Sequence, residues 1–109
     1  MTAMKPLLVL AALFILMCPA VSGAEPNPAE RYNEANRLYR DGRFAESLRI
    51  YEKLIREGIK NPDLYYNASN AAYRSDSLGK AVLYLERALR LSPSDRDALA
   101  NLAYLNSIK

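Results

Sequence analysis

The feature that most constrains this chain is that it repeats itself. Residues 27–60 laid over residues 61–94, a shift of 34, coincide at nine positions: Asn27/Asn61, Pro28/Pro62, Tyr32/Tyr66, Asn33/Asn67, Asn36/Asn70, Tyr39/Tyr73, Arg40/Arg74, Glu52/Glu86 and Arg56/Arg90. A second shift of 34 puts Asn101 under Asn33 and Asn67, and Asp97 under Asp63. A unit of this length is one supersecondary element that cannot bury its apolar side alone, so the core is expected to arise by stacking neighbours. Two full units and the opening of a third are present.

Each unit reads as a pair of helices. Asn27-Pro28 and Asn61-Pro62 are helix starts, with an asparagine to cap free amides and a proline where no N–H is needed, and Glu30 completes a capping box with Asn27. The first helix runs to about Arg40 and breaks at Asp41-Gly42-Arg43; Phe44, Leu48, Tyr51, Leu54 and Ile55 then recur at helical spacing until Gly58. Unit two repeats the plan with Leu64, Tyr65, Ala68 and Ala72, a turn at Ser75-Asp76-Ser77, then Leu78, Ala81, Val82, Leu85, Ala88 and Leu89. Leu91-Ser92-Pro93 stops it, and Asp95 caps a last helix expected to carry Leu99, Leu102, Ala103 and Ile108. No segment alternates with period two long enough for a strand, so the fold class is all-α.

The first 24 residues differ from the rest. They hold one charge, Lys5, an apolar run from Leu7 to Cys18, and the small-residue exit Val21-Ser22-Gly23-Ala24. This order describes a secretory signal peptide, with cleavage after Ala24. Export to a periplasm or the outside is expected; a membrane anchor retained through residues 7–18 is the weaker alternative. Lipid attachment at Cys18 is disfavoured because Met17 stands where that processing wants a small residue. The expected mature chain has 109 − 24 = 85 residues and a charge of +2, since Lys5 leaves and 14 Lys+Arg face 12 Asp+Glu.

Cleavage also removes every Met, the single Cys and the only Thr, and the sequence has no His or Trp. Imidazole- or thiol-based nucleophiles, thiolate or imidazole zinc ligation and disulfides are thereby excluded from the mature part. A carboxylate hydrolase would need a paired-acid cleft, and no such pairing stands out. The expectation is a protein with no catalytic residues, no cofactor and no metal.

Thirty-four residues, two helices, small residues where helices cross and a proline near the unit's end resemble the tetratricopeptide (TPR) repeat. The residues that carry the likeness best are 64–73 (LYYNASNAAY) and 80–93 (KAVLYLERALRLSP). Ser69 stands where that family usually has Gly or Ala, and Ser47 where it has Ala; both are small enough for a crossing. The resemblance implies a helical-hairpin solenoid over residues 25–109, with repeat one at 28–61, repeat two at 62–95 and a final helix at 96–109. More narrowly, residues 51–58, 64–67, 84–91 and 100–102 resemble the exported TPR portion of BatE-type proteins of the Bacteroides aerotolerance group. That likeness implies a place in an envelope complex.

In TPR proteins the first helix of each pair lines a concave groove, so the resemblance makes its non-core positions the candidate peptide contacts: Tyr32, Asn36, Tyr39, Arg40, Tyr66, Asn67, Asn70, Tyr73, Arg74 and, from the last helix, Tyr104. Tyr residues seven apart fall on one helix face, and the ring offers contact area at low entropy cost beside an asparagine that both donates and accepts. For the tyrosines, packing between helices is an equally good reading; for Asn36, Asn70, Arg40 and Arg74 binding is favoured. The clamp by which some TPR domains hold a chaperone's carboxyl terminus is not expected. Asn36 and Asn67 match its two asparagines, but Tyr32, Asp97 and Asn101 stand where its cations should be.

Arg49, Lys53 and Arg56 are interleaved with Glu46, Glu52 and Glu57, a solvated face and no nucleic-acid stripe. Asn67-Ala68-Ser69 is formally a glycosylation sequon. The expected function is a protein-interaction scaffold that binds a peptide or partner protein in its groove. The alternative is an assembly subunit docking through its apolar C-terminal helix, as a homodimer or in an envelope complex. Helical spacing cannot turn Leu99, Leu102, Tyr104, Leu105 and Ile108 all inward, and Leu105 is expected on the outer surface among them.

Overall fold

The computed structural model describes residues 26–108; the expected signal peptide, residues 1–24, lies outside them. The described residues form five helices and no strand: α1 (Pro28–Arg40), α2 (Phe44–Arg56), α3 (Pro62–Arg74), α4 (Leu78–Leu91) and α5 (Arg96–Ile108). Each helix packs on the next, and α1 also touches α3. None of the described helices is long and apolar enough to cross a membrane.

The first helix of each unit starts on a side-chain cap. Asn27 Oδ1 accepts from the Glu30 N–H at 2.9 Å, Asn61 Oδ1 from Asp63 N–H at 2.8 Å, and Asp95 Oδ1 from Asp97 N–H at 3.0 Å. The return bond to Glu30 comes from Asn27 Nδ2 at 3.2 Å, so the capping box closes through a side-chain amide where the standard motif uses the backbone N–H. The second helices, α2 and α4, have no side-chain cap bond. Their entry is set by the preceding turn, where a bond spanning five residues closes the helix end: Arg43 N–H to Leu38 O at 2.9 Å, and Ser77 N–H to Ala72 O at 2.8 Å. The turn needs a left-handed residue, supplied by Gly42 (φ 81°) in unit one and by Asp76 (φ 63°) in unit two.

Close approach of the helices depends on small residues. Ala35, Ala68, Ala71, Ala72, Ala81 and Ala98 are fully buried, with Leu54, Leu64 and Leu85 filling the spaces between them. At the α1–α2 crossing Ser47 Oγ donates to Ala35 O at 2.8 Å; at the α3–α4 crossing Ser69 Oγ donates to Ala81 O at 2.7 Å. Ala35 and Ser69 are one repeat apart, as are Ser47 and Ala81. The hydroxyl has changed helices between units while the crossing keeps one Ser, one Ala and one bond. Size is therefore half of what these serines contribute; the other half is satisfaction of a buried hydroxyl. Ser47→Ala and Ser69→Ala are each expected to cost about 1 kcal/mol in denaturant titrations. Ser69→Val is expected to cost more, because extra methyls force the helices apart.

The last helix turns a different face inward than the spacing predicted. Ala98 and Leu105 are buried and Leu102 packs partly against the core, whereas Leu99 (47% exposed), Ile108 (46%) and Ala103 face outward. Of the four apolar residues read at helical spacing on this helix only Leu102 packs against the core, and Leu105, expected outside, is 4% exposed. The reason is that α5 carries apolar residues around most of its circumference, so period alone does not select a side and α4 does.

One polar cluster joins α2 to α4. Tyr84 donates to Glu52 Oε2 at 2.5 Å and Lys80 approaches the same carboxylate at 3.1 Å. Burial, followed by the Glu52 bond, pushes the Tyr84 hydroxyl up to about 12, and burial does the same to Tyr51. An unfolded tyrosine releases its proton near pH 10, so above that pH the unfolded state binds fewer protons and stability falls until the folded groups also ionise. Stability is thus expected to decline between about pH 10 and pH 12 in thermal melts, and Tyr84→Phe to flatten the decline.

Candidate functional site

Eight of the ten candidate residues meet on two adjoining cavities along α1, α3 and α5. The larger, about 270 Å³, is lined by Tyr39, Asn70, Tyr73, Arg74, Asn101 and Tyr104, with Ser69 and Leu105 beneath. The smaller, about 170 Å³, is lined by Asn36, Tyr39, Arg40, Tyr51, Asn67 and Asn70. Tyr39 and Asn70 belong to both and form the wall between them. These side chains meet because residues at the same repeat position project from neighbouring first helices in the same direction.

Tyr32 and Tyr66 line neither cavity. Tyr32 borders a separate hollow of about 230 Å³ with Pro28, Leu54, Ile59 and Leu64. Its hydroxyl accepts from Asn67 Nδ2 at 2.6 Å, and one repeat later Tyr66 accepts from Asn101 Nδ2 at 3.1 Å. This is a ladder of Tyr–Asn bonds between successive first helices. Its signal was present in the sequence as the periodic Tyr32/Tyr66 and Asn33/Asn67/Asn101 sets, but an identity does not say which residue of one unit meets which of the next.

Asn36 is tied down as well. Its Oδ1 accepts from the Tyr51 hydroxyl and, at 3.4 Å, from Asn67 Nδ2, so the buried Tyr51 reaches the cavity floor through it. Burial raises the Tyr32 hydroxyl, which sits beside this network. The sequon has no accessible acceptor here: the Asn67 amide is committed to Tyr32, and the Ser69 hydroxyl is buried on Ala81.

The remaining candidates divide by packing. Tyr39 stands edge-on to Phe44 with ring centroids 5.0 Å apart, and the Arg74 guanidinium lies over the same ring at 4.4 Å. Arg74 is thus held by an aromatic face that the sequence did not point to. Tyr73 and Tyr104 meet edge-on, their hydroxyls 3.2 Å apart, and that hydrogen bond holds the Tyr73 proton above its ordinary range. Both rings are exposed, Tyr104 at 53%. Asn70 and Arg40 form no side-chain hydrogen bond or ion pair among the described residues.

The arrangement offers aromatic walls and polar side chains on a surface already shaped. The hydroxyls of Tyr73 and Tyr104 face one another, and the lining of the two cavities includes no carboxylate. No family model matches this sequence, and no curated protein matches it. What the cavities do is therefore argued from their own chemistry.

Proposed function

We propose that this chain is an exported TPR interaction module that holds a peptide segment of a partner protein along α1, α3 and α5 and performs no catalysis. The observation that carries this reading is the convergence of eight repeat-related side chains on two cavities sharing the Tyr39–Asn70 wall. Such a surface, held by the Tyr–Asn ladder and the Asn36–Tyr51 bond before a partner arrives, spares the cost of ordering it on binding. The TPR assignment is supported by the 34-residue period, the two-helix units and the small residues at their crossings. Export is supported by the leader, and a place in a BatE-like envelope complex is the narrower form of the same reading.

The test is a crosslinking pull-down from the native envelope with Asn70→Trp beside the wild type. Asn70 is half-buried on the shared wall, so an indole there narrows both cavities at the residue they share. Capture is expected to be lost while the melting midpoint stays put. Equal capture by the two proteins would show that the partner docks elsewhere.

The exposed Leu99 and Ile108 favour a second reading, assembly of two copies through α5. Leu99→Glu is the informative change. Under this reading analytical ultracentrifugation of the full chain shows a dimer that the substitution dissociates; a monomer at high concentration removes it.

A further inference from the structure

We infer that the segment held in this groove is acidic, carrying side-chain carboxylates that meet Arg40 and Arg74; this rests on the groove reading above. Two independent observations point to it, one of charge and one of hydrogen-bond polarity.

The lining of the two cavities holds two cations, Arg40 and Arg74, and no carboxylate. Neither arginine forms an ion pair among the described residues, and two neighbouring acids are engaged by other cations. Asp41, next to Arg40 in sequence, pairs with Arg37 at 3.2 Å. Glu46, which borders the outer hollow behind Arg74, pairs with Arg43 at 2.7 Å. Asp76 also lies in that outer hollow and is absent from the linings of the two cavities. The lining of the two cavities therefore carries two cations and no carboxylate, while Arg74 also borders the outer hollow that holds Glu46 and Asp76. The Arg74 guanidinium carbon lies 4.4 Å from the Phe44 ring centroid, and none of its N–H donors makes a hydrogen bond among the described residues, so they are left for a carboxylate.

The hydrogen-bonding groups point the same way. The Asn36 acceptor is consumed by Tyr51 and Asn67, and the Tyr32 hydroxyl already accepts from Asn67. The groups with no internal bond among the described residues are Arg40, Arg74, Tyr39 and Asn70, and most of their capacity is donor, since each guanidinium brings N–H groups and no acceptor. A site rich in donors selects a ligand rich in acceptors. The two arginines occupy the same repeat position on neighbouring first helices and border adjoining cavities, so a segment that carries more than one acid along the groove meets both.

The test is selection from a phage-displayed random-peptide library on the full chain, followed by fluorescence anisotropy of the selected peptides. Enrichment of Asp and Glu is expected, with a loss of affinity of about tenfold or more for Arg40→Gln, for Glu→Gln in the peptide, and at raised salt. Arg40→Lys keeps the charge and is expected to retain part of the affinity. Neutral or basic peptides that lose binding with Tyr73→Ala but ignore Arg40→Gln would overturn the acidic inference and leave the groove reading standing. Selected peptides indifferent to both substitutions, or no selected peptide at all, would sink the groove reading and this inference with it.

Discussion

Leu105→Glu is expected to detach α5 from α4, lowering stability by on the order of 4 kcal/mol in a denaturant titration. Leu105 is 4% exposed and forms, with Ala98 and Leu102, the narrow strip by which α5 holds on. A carboxylate there must be buried without a partner, or take up a proton, or pull the helix out; each costs a large share of the 5–15 kcal/mol typical of a whole domain. The loss reaches further than α5. Leu105 also underlies the larger cavity, and the Tyr66–Asn101 and Tyr73–Tyr104 bonds depend on the same docking, so the groove opens at that end. Leu99→Glu, six residues earlier on the outer side, is expected to change stability by less than about 0.5 kcal/mol. Amide exchange along α5 separates the two outcomes: in Leu105→Glu these amides lose protection before those of α3 and α4. If Leu105→Glu melts like the wild type, the register of α5 described above is wrong.

The second large effect is on binding. Tyr39→Ala with Tyr73→Ala is expected to weaken capture of the native partner about a hundredfold, or close to 3 kcal/mol, since aromatic anchors at the centre of an interface carry much of its energy. Tyr39 sits on the wall common to both cavities and Tyr73 forms the side of the larger one, so the pair removes the shared ring and leaves only Tyr104 in the larger cavity and Tyr51 in the smaller. The fold responds unequally. Tyr73 is 38% exposed and touches Tyr104, whereas Tyr39 is half-buried against Phe44. Tyr73→Ala alone should therefore leave the melting midpoint nearly unchanged, while Tyr39→Ala lowers it. Affinity measured per folded molecule isolates the binding effect; if it is unchanged while stability collapses, the rings serve packing alone.

The candidate site was legible to different depths at different residues. Tyr39, Asn70, Tyr73, Arg74 and Tyr104 were grouped on one surface by the TPR resemblance together with helix phase, and the structure brings them together around one cavity. Asn36 and Asn67 were placed there too, but their bonds to Tyr51 and Tyr32 were not readable, because each joins residues of different helices. The hold of Phe44 on Arg74 was hidden for the same reason. So was the Tyr84–Glu52–Lys80 cluster, which joins α2 to α4.

The local events were determined by the sequence. Asn27, Asn61 and Asp95 cap, Pro28 and Pro62 begin helices, and Gly42 and Gly58 end them, because each choice is settled within a few residues by backbone geometry and a free amide or carbonyl. The 34-residue identities likewise set the helix plan that the two units share. Tertiary structure decided which side of each helix meets which neighbour. It gave the Ser47 and Ser69 hydroxyls their acceptors, Ala35 O and Ala81 O across each crossing, and on α5 it chose Leu105 over Leu99 and Ile108. These were open in the sequence because Ser and Ala fill a crossing alike, and because a helix apolar on most sides has no preferred face until another helix packs against it.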